Sequence, residues 1–369
     1  MNAMHLIDLL GRRWSLGAPV TQIAFDATEA AVGFALADGR LAIAPVADPE
    51  SAIDRYHVAG DTGRATITPR RKGAPPLVVV ATQEKPTQIA GFGTTGFLTG
   101  SNDGALAAVG PDGTTTHLAR LGRTIHALAP IGNGRVLIAV GDGLMTAVPG
   151  DASPHPVLEN NQVLAPFAVA PSGDWLAHRG AGLTLRRMTD ERNAALVLDA
   201  FDPRELAWSP DGRWLAAALT TGGIALLRFE NGQVCRTVRL PDYPAPVHTL
   251  GWDATSRLLT TSGAYRIVVW PVDQFDVDGA EPRSLPTGRA GLATVDAVSV
   301  HPRRALVAAA YENGMVVVAP FGDRNELVVR SPCGDPIAGM TWSGDGECLA
   351  FGTRAGEASI VTFPPQLFK

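Results

Sequence analysis

The chain has little of what several functional classes require. Its 369 residues include only three cysteines, Cys235, Cys333 and Cys348, and no C-x-x-C pair. Neither a disulfide framework nor a cysteine-based zinc site is therefore expected. The formal net charge of −5 excludes a global field that would attract nucleic acid or an anionic membrane, so neither is expected as a partner.

Long apolar runs are absent as well. No stretch approaches the roughly 20 apolar residues that a membrane-spanning helix needs. The first residues, MNAMHLIDLLGRRW, have no basic region before a long apolar core, and His5 and Asp8 interrupt the apolar positions. They do not resemble a signal peptide, so we expect a cytoplasmic protein. The composition, rich in alanine and arginine, is typical of a GC-rich bacterial genome.

Catalytic and metal-binding signatures are missing too. The sequence contains no G-x-S-x-G elbow, H-E-x-x-H pair, phosphate-binding loop or dinucleotide fingerprint. Its Asp-Gly pairs are isolated, whereas a calcium loop needs several oxygen ligands within one short segment. We therefore predict that the chain has no cofactor and no metal and is not an enzyme.

What the chain does contain is a repeated unit, seen most clearly in ELAWSPDGRWLAAALTTGGIALLRF (205–229). Apolar runs around Trp208 and Trp214 flank Ser209-Pro210-Asp211-Gly212, whose residues favour a tight turn. A glycine turn at 220–223 leads into a third apolar run. This pattern predicts three antiparallel strands, which need neighbouring units to bury their faces.

Seven more copies follow the same spacing, in which Leu206 is followed nine positions later by Leu215. The other pairs are Ile23/Val32, Ile89/Leu98, Leu128/Leu137, Phe167/Leu176, Leu250/Leu259, Val298/Val307 and Met340/Leu349. A period near 40 residues, with three or four strands per unit, indicates a β-propeller in which each unit is one blade. We predict a single all-β propeller domain over residues 1–369 with eight four-stranded blades; seven blades is the alternative.

The residues AWSPDGRWLAAA (207–218), TWSGDGECLAFG (341–352) and RIVVWPVD (266–273) resemble the WD-repeat β-propeller family. The family's Gly-His pair is missing, and of its Trp-Asp pairs only Trp270, followed by Pro271, remains. The resemblance implies a propeller fold and a role in binding other proteins. It implies little about the particular function, because propellers serve many functions.

Two segments lie outside the repeat. Residues His5 to Leu10 read as a lone strand, which we expect to pair with the last blade as its outer strand and so close the ring. The interval between the first two units is unusually long, which predicts an inserted loop at about 48–76. A hairpin joined through Asp61-Thr62-Gly63 is expected within it.

Two surfaces are candidates for binding. Five basic residues fall within 18 positions of the insertion, opposed only by Asp61: Arg55, Arg64, Arg70, Arg71 and Lys72. Loops of this kind commonly carry specific function, although a merely tolerated loop is the alternative. The second surface is one mouth of the central channel, where the innermost strand of each blade begins. Aligning the units places His126, Arg204, His248 and Asp296 there, either as a binding patch or as a self-satisfied polar rim.

From these features we predict a monomeric, non-catalytic scaffold that mediates protein–protein interaction. The basic insertion favours an acidic protein as the partner. The alternative function is a channel-mouth binder of small ligands or a lactonase-like hydrolase, for which His126, His248 and Asp296 would supply ligands.

Overall fold

The computed structural model describes residues 5–81, 86–141, 143–159, 164–188, 195–276 and 283–368. Most of its strands belong to eight four-stranded antiparallel sheets. In seven sheets the strands follow chain order, from the innermost strand outward. Blade 1 consists of β2 (Val20–Phe25), β3 (Ala31–Leu36), β4 (Arg40–Pro45) and β7 (Val78–Ala81), and blade 2 of β8 (Pro86–Gly91), β9 (Phe97–Ser101), β10 (Ala105–Val109) and β11 (Thr115–Arg120). Blade 3 consists of β12 (Ile125–Pro130), β13 (Val136–Val140), β14 (Gly143–Ala147) and β15 (His155–Glu159), and blade 4 of β16 (Leu164–Val169), β17 (Trp175–Arg179), β18 (Leu183–Arg187) and β19 (Ala195–Leu198). Blade 5 consists of β20 (Pro203–Trp208), β21 (Trp214–Leu219), β22 (Ile224–Glu230) and β23 (Gln233–Leu240), and blade 6 of β24 (Leu250–Trp252), β25 (Leu258–Thr261), β26 (Ile267–Pro271) and β27 (Leu285–Thr287). Blade 7 consists of β28 (Val295–Val300), β29 (Leu306–Tyr311), β30 (Val316–Pro320) and β31 (Leu327–Arg330).

The eighth sheet joins the two ends of the chain. It consists of β32 (Ile337–Trp342), β33 (Cys348–Thr353) and β34 (Glu357–Thr362), with β1 (Gly11–Ser15) as its outer strand. The innermost strands of neighbouring blades contact one another all the way around, including β32 with β2. The prediction of an all-β, eight-bladed propeller closed by an N-terminal strand is confirmed.

The position of the closing strand was predicted wrongly. Residues Leu6–Leu10 form a short helix, α1, and the strand begins only at Gly11. The Asp8 carboxylate accepts a hydrogen bond from the His5 amide at 3.2 Å, which ties down the start of the helix. Ile7 and Leu10 are buried in a core cluster that also contains residues of blades 7 and 8. Apolar residues three apart, which we read as strand, therefore lie on one face of a helix.

The turn chemistry of the repeat appears as predicted in blade 5. The Ser209 hydroxyl accepts a hydrogen bond from the Trp214 amide at 2.9 Å and donates one to Asp211 at 2.7 Å. Gly212 has φ +70°, a conformation that residues with a side chain rarely adopt. This turn sets the register of the first two strands, so that Trp208 pairs with Leu215.

The repeated tryptophans connect neighbouring blades. The indole N–H groups of Trp208, Trp252 and Trp342 donate to the carbonyl oxygens of Ala168, Ala207 and Ser299, at 3.2, 3.0 and 3.0 Å. Each acceptor lies on the innermost strand of the preceding blade. Because the same bond recurs at the same position of the unit, it accounts for the spacing of tryptophan in the sequence.

The expected insertion lies between β4 and β7. It contains a separate two-stranded hairpin, β5 (Tyr56–Val58) with β6 (Ala65–Ile67), as predicted. Short 3-10 helices cover Val272–Asp276 and Pro365–Phe368. Within the described ranges, no helix has the length and apolar character needed to cross a membrane.

Candidate functional site

The two predicted surfaces lie at opposite ends of the ring. The innermost strand of each blade runs away from the mouth, the second returns to it and the third runs away again, because the strands are antiparallel neighbours. The insertion connects the third and fourth strands of blade 1, so it emerges at the end opposite the mouth.

Arg55 serves the structure of the insertion. Its side chain is buried and donates to the carbonyl oxygens of Leu9, Glu50 and Thr68, at 2.7, 3.0 and 2.5 Å. These bonds connect the end of α1 to both ends of the hairpin. A partner could not reach this guanidinium without disrupting the insertion.

Arg70 also forms its ion pair within the protein. Its guanidinium pairs with Asp48, whose side chain is only 4% exposed. Burial alone would raise the pKa of Asp48, but the hydrogen bonds from Arg70 and the Glu50 amide, together with the charge of Arg12, outweigh burial and hold the pKa below its usual value. Asp48 is therefore a carboxylate that already has its cationic partners.

The backbone around the next two basic residues is fixed as well. The amides of Arg71 and Lys72 both donate to the Glu50 carboxylate at 3.0 Å. The bond from the Lys72 amide is the main cause that lowers the pKa of Glu50. The two side chains themselves remain exposed. This arrangement presents two cations on a backbone that is held in place.

Arg64 lies beside the turn of the hairpin and is exposed. Arg64, Arg71 and Lys72 form no ion pair within the described part of the chain. A cleft of about 480 Å³ separates the end of the insertion from the closing strand, and its lining includes Arg13, Trp14 and Lys72. We call Arg64, Arg71 and Lys72 the basic loop surface.

The mouth positions have a common structural origin. In seven of the eight blades the register between the first two strands shifts at the position that we aligned from the sequence, including His126, Arg204 and Asp296. These residues occupy β-bulges, where one extra residue is left out of the ladder. Blade 6 differs, because the Ser262 hydroxyl accepts hydrogen bonds from the amides of His248 and Thr249. Bulges can re-aim a side chain, and at these positions His126 and Asp296 are half-buried and Arg204 is exposed.

Asp296 is the most strongly paired of the mouth residues. Its carboxylate lies 3.8 Å from Nε2 of His248 and 3.2 Å from a guanidinium nitrogen of Arg354. These residues belong to blades 6, 7 and 8. We predicted His248 at the mouth from the sequence but not Arg354. The feature of the sequence that could have indicated Arg354 is its place at the start of the turn Arg354-Ala355-Gly356.

Arg204 and His126 stand apart from this group. Arg204 is exposed and His126 is half-buried, and neither forms an ion pair with any described residue. No group of three or more His, Cys, Asp or Glu side chains suited to a metal ion occurs among the residues described. The mouth thus brings His248 and Asp296 together and leaves the other two candidates separate.

Comparison with known proteins agrees with this architecture. Residues 198–255 match the family described as the anaphase-promoting complex subunit 4 WD40 domain. No curated protein is significantly similar in sequence to the chain. Among solved structures, Sqt1 from Chaetomium thermophilum is similar with a TM-score of 0.67 at 13% identity, covering 98% of this chain and 99% of that one.

Two further structures show the same fold. The C-terminal WD40 domain of Sif2 has a TM-score of 0.62 at 12% identity, over 96% of this chain and 99% of its own. A chain of the mitotic checkpoint complex has a TM-score of 0.56 at 11% identity, over 98% of each chain. Together with the eight blades, these neighbours show that the chain has a β-propeller fold, and residues 198–255 agree with the resemblance to WD-repeat propellers seen in the sequence.

Proposed function

We propose that this propeller is a non-catalytic scaffold that binds an acidic protein through the basic loop surface. The observation that carries the proposal is the contrast within the insertion. Arg55 and Arg70 form contacts inside the protein that stabilise the insertion. Arg64, Arg71 and Lys72, in contrast, are exposed on the insertion. A surface ordered before binding loses less conformational entropy when the partner arrives.

Charge supports an acidic partner. All three exposed cations lie on the one insertion, in a chain whose net charge is −5, so the basic loop surface differs in sign from the molecule as a whole. Complementary charge of this kind raises association rates and excludes partners of the wrong sign. One of the structural neighbours is a chain of the mitotic checkpoint complex, in keeping with a protein partner.

The channel mouth is the weaker candidate because its acidic group is already paired. Asp296 has both His248 and Arg354 within 4 Å, so a ligand would have to compete with contacts inside the protein. Arg204 is the only one of our candidate cations there that is exposed and without an ion pair among the described residues. A small-ligand or hydrolase function would need more convergent groups than these.

We also propose that residues 1–369 act as one monomeric domain in the cytoplasm. In support, Cys235 and Cys333 are exposed free thiols and Cys348 is a buried one. Exposed unpaired thiols fit a reducing compartment better than an oxidising one.

Affinity capture from a lysate of the source organism tests the proposal. We expect the wild-type chain and an Arg204→Ala/His248→Ala variant to retain the same acidic protein. A variant with Arg64, Arg71 and Lys72 changed to Glu should lose it while keeping its β-sheet circular dichroism spectrum. Loss of the partner in the mouth variant alone would assign binding to the channel.

A further inference from the structure

A separate cavity of about 690 Å³ opens at the end of blade 7, beside the C-terminal segment. Its lining includes Leu306 and Val318 from the blade, Leu327 from the outer strand, and Leu367 and Phe368 from the last 3-10 helix. This volume lies within the range of roughly 300–1,000 Å³ that is usual for small-molecule sites. None of the residues discussed as candidate partner-binding residues lines it.

The floor of the cavity is apolar and well supported. Leu306 and Val318 are 6% and 1% exposed and belong to the core cluster shared by blades 7 and 8. The Phe368 ring packs on Phe363 with the centroids 5.4 Å apart, and Phe363 packs on Trp342 at 5.3 Å. This stack connects the wall to a tryptophan of the repeat, so the apolar surface is part of the fold.

One cation stands at the rim. Arg304 lines the cavity, its guanidinium lies 5.8 Å from the centroid of the Phe368 ring, and it donates to the carbonyl oxygens of Pro365 and Phe368 at 3.2 and 3.4 Å. It forms no ion pair with an acidic residue of the described chain. Glu326, the acidic residue of the lining, instead accepts a hydrogen bond from the Arg289 amide at 3.0 Å. An exposed guanidinium with only neutral acceptors can bind a carboxylate through two charge-assisted hydrogen bonds.

We propose that this cavity binds an acyl carboxylate, with the hydrocarbon chain against the partly exposed Leu327, Leu367 and Phe368 and the carboxylate on Arg304. The apolar floor removes the chain from water. The Arg304 guanidinium, which has no ion pair among the residues described, fixes the orientation and discriminates against a neutral head group. None of Arg64, Arg71 and Lys72 lines this cavity, although Ala52 and Ile67 of the insertion pack in the same core cluster as Leu306 and Val318.

Isothermal titration with decanoate and with the neutral alcohol decanol tests the assignment on the full chain. Wild-type protein should bind decanoate more tightly than decanol. Arg304→Gln should weaken decanoate binding about tenfold and leave decanol binding unchanged. Arg303→Gln is the matched control, since Arg303 is a neighbouring exposed cation outside the lining.

A second variant tests the cavity itself. Ala305→Trp places an indole in the cavity from an exposed position and should abolish binding of both compounds. Ala30 is the equivalent exposed residue of blade 1, since the carbonyls of Ala30 and Ala305 accept from Val46 and Phe321 in the same way; Ala30→Trp should bind like wild type. Failure of wild type to bind decanoate at millimolar concentration, or unchanged binding in Ala305→Trp, would overturn the proposal. If decanoate does not bind and a captured protein partner is lost in Ala305→Trp, the cavity binds a protein and the assignment to an acyl carboxylate is wrong.

Discussion

Nε of Arg12 lies 3.7 Å from the carboxylate of Asp48, and the two side chains are 0% and 4% exposed. Arg12 belongs to the strand that closes the last blade, and Asp48 stands where the insertion of the first blade begins. Arg12 also donates to the carbonyl oxygens of Pro45, Val46 and Ala47 at 2.8, 2.9 and 3.2 Å. This one side chain therefore connects the two ends of the ring, and it also orders the base of the basic loop surface.

Replacing Arg12 should consequently destabilise the fold strongly. Arg12→Met removes one partner of a buried ion pair and leaves three carbonyl groups without their donor, which should cost about 3–5 kcal/mol in the free energy of unfolding. Arg13→Met, on the same strand but 46% exposed, should cost less than about 1 kcal/mol. Urea unfolding of the two variants measures both. Equal losses would show that Arg12 does not hold the closure.

Truncation separates the roles of α1 and the closing strand. A chain that begins at Gly11 loses the buried side chains of Ile7 and Leu10 and should be less stable, yet remain monomeric. A chain that begins at Leu16 also exposes the edge of β34, which should promote association between molecules. Light scattering during size-exclusion chromatography distinguishes them. A monomeric chain from Leu16 onward would contradict the importance of this edge.

The tryptophans of the repeat should matter more than those outside it. Trp208→Ala removes the hydrogen bond to Ala168 and a ring that packs 4.7 Å from Phe229, and should cost about 3–5 kcal/mol. Trp14 donates to the Pro75 carbonyl at the exit of the insertion, and Trp14→Ala should cost less. If the urea midpoints of the two variants fall by the same amount, packing between blades is not the main role of Trp208.

Glu205 should make stability depend on pH. Burial raises the pKa of its carboxyl to about 7, above the value of about 4.3 in an unfolded chain. A raised carboxyl pKa means that the unfolded state loses its proton first, so the contribution of Glu205 to stability is greatest at low pH and declines as the pH rises from about 4 to 7. The decline should reach on the order of 3 kcal/mol at pH 8.

Glu205→Gln provides the test. Gln22 occupies the equivalent position of blade 1, and its side-chain oxygen accepts a hydrogen bond from the Ile89 amide of blade 2 at 2.8 Å. Glutamine therefore fits this position. The variant should be more stable than wild type at pH 8 and differ little at pH 4 in urea unfolding. An equal effect at both pH values would argue against a titrating Glu205.

The blades could be predicted from the sequence because their pattern is local. The nine-residue spacing of apolar residues and the turn at Ser209 to Gly212 are repeated, and each copy predicts the strands of its own blade. The same alignment located the bulge positions, although it took them for ordinary strand residues. The helix at Leu6–Leu10 was misread because six residues are too few to separate a helical period from a strand period.

The remaining features depend on residues far apart in the chain. In the sequence Arg55 looks like a surface cation. It is buried because the fold brings the carbonyl groups of Leu9 and Thr68 to its guanidinium. Arg354 reaches Asp296 only because the ring places blade 8 beside blade 7. A basic composition at 55–72 could not show which of its charges are already neutralised. Of the five cations, Arg64, Arg71 and Lys72 are the ones that are exposed and have no ion pair among the residues the structure describes.

The rate of association with the captured partner, measured across ionic strength, tests the central claim most directly. Changing Arg64, Arg71 and Lys72 to Glu should slow association about tenfold at low salt and flatten its salt dependence. Thermal unfolding should be unchanged, because Arg55, Arg70 and Asp48 remain in place. An unaltered rate in this variant, together with slower association in Arg204→Ala/His248→Ala, would contradict the account and place the partner at the channel mouth.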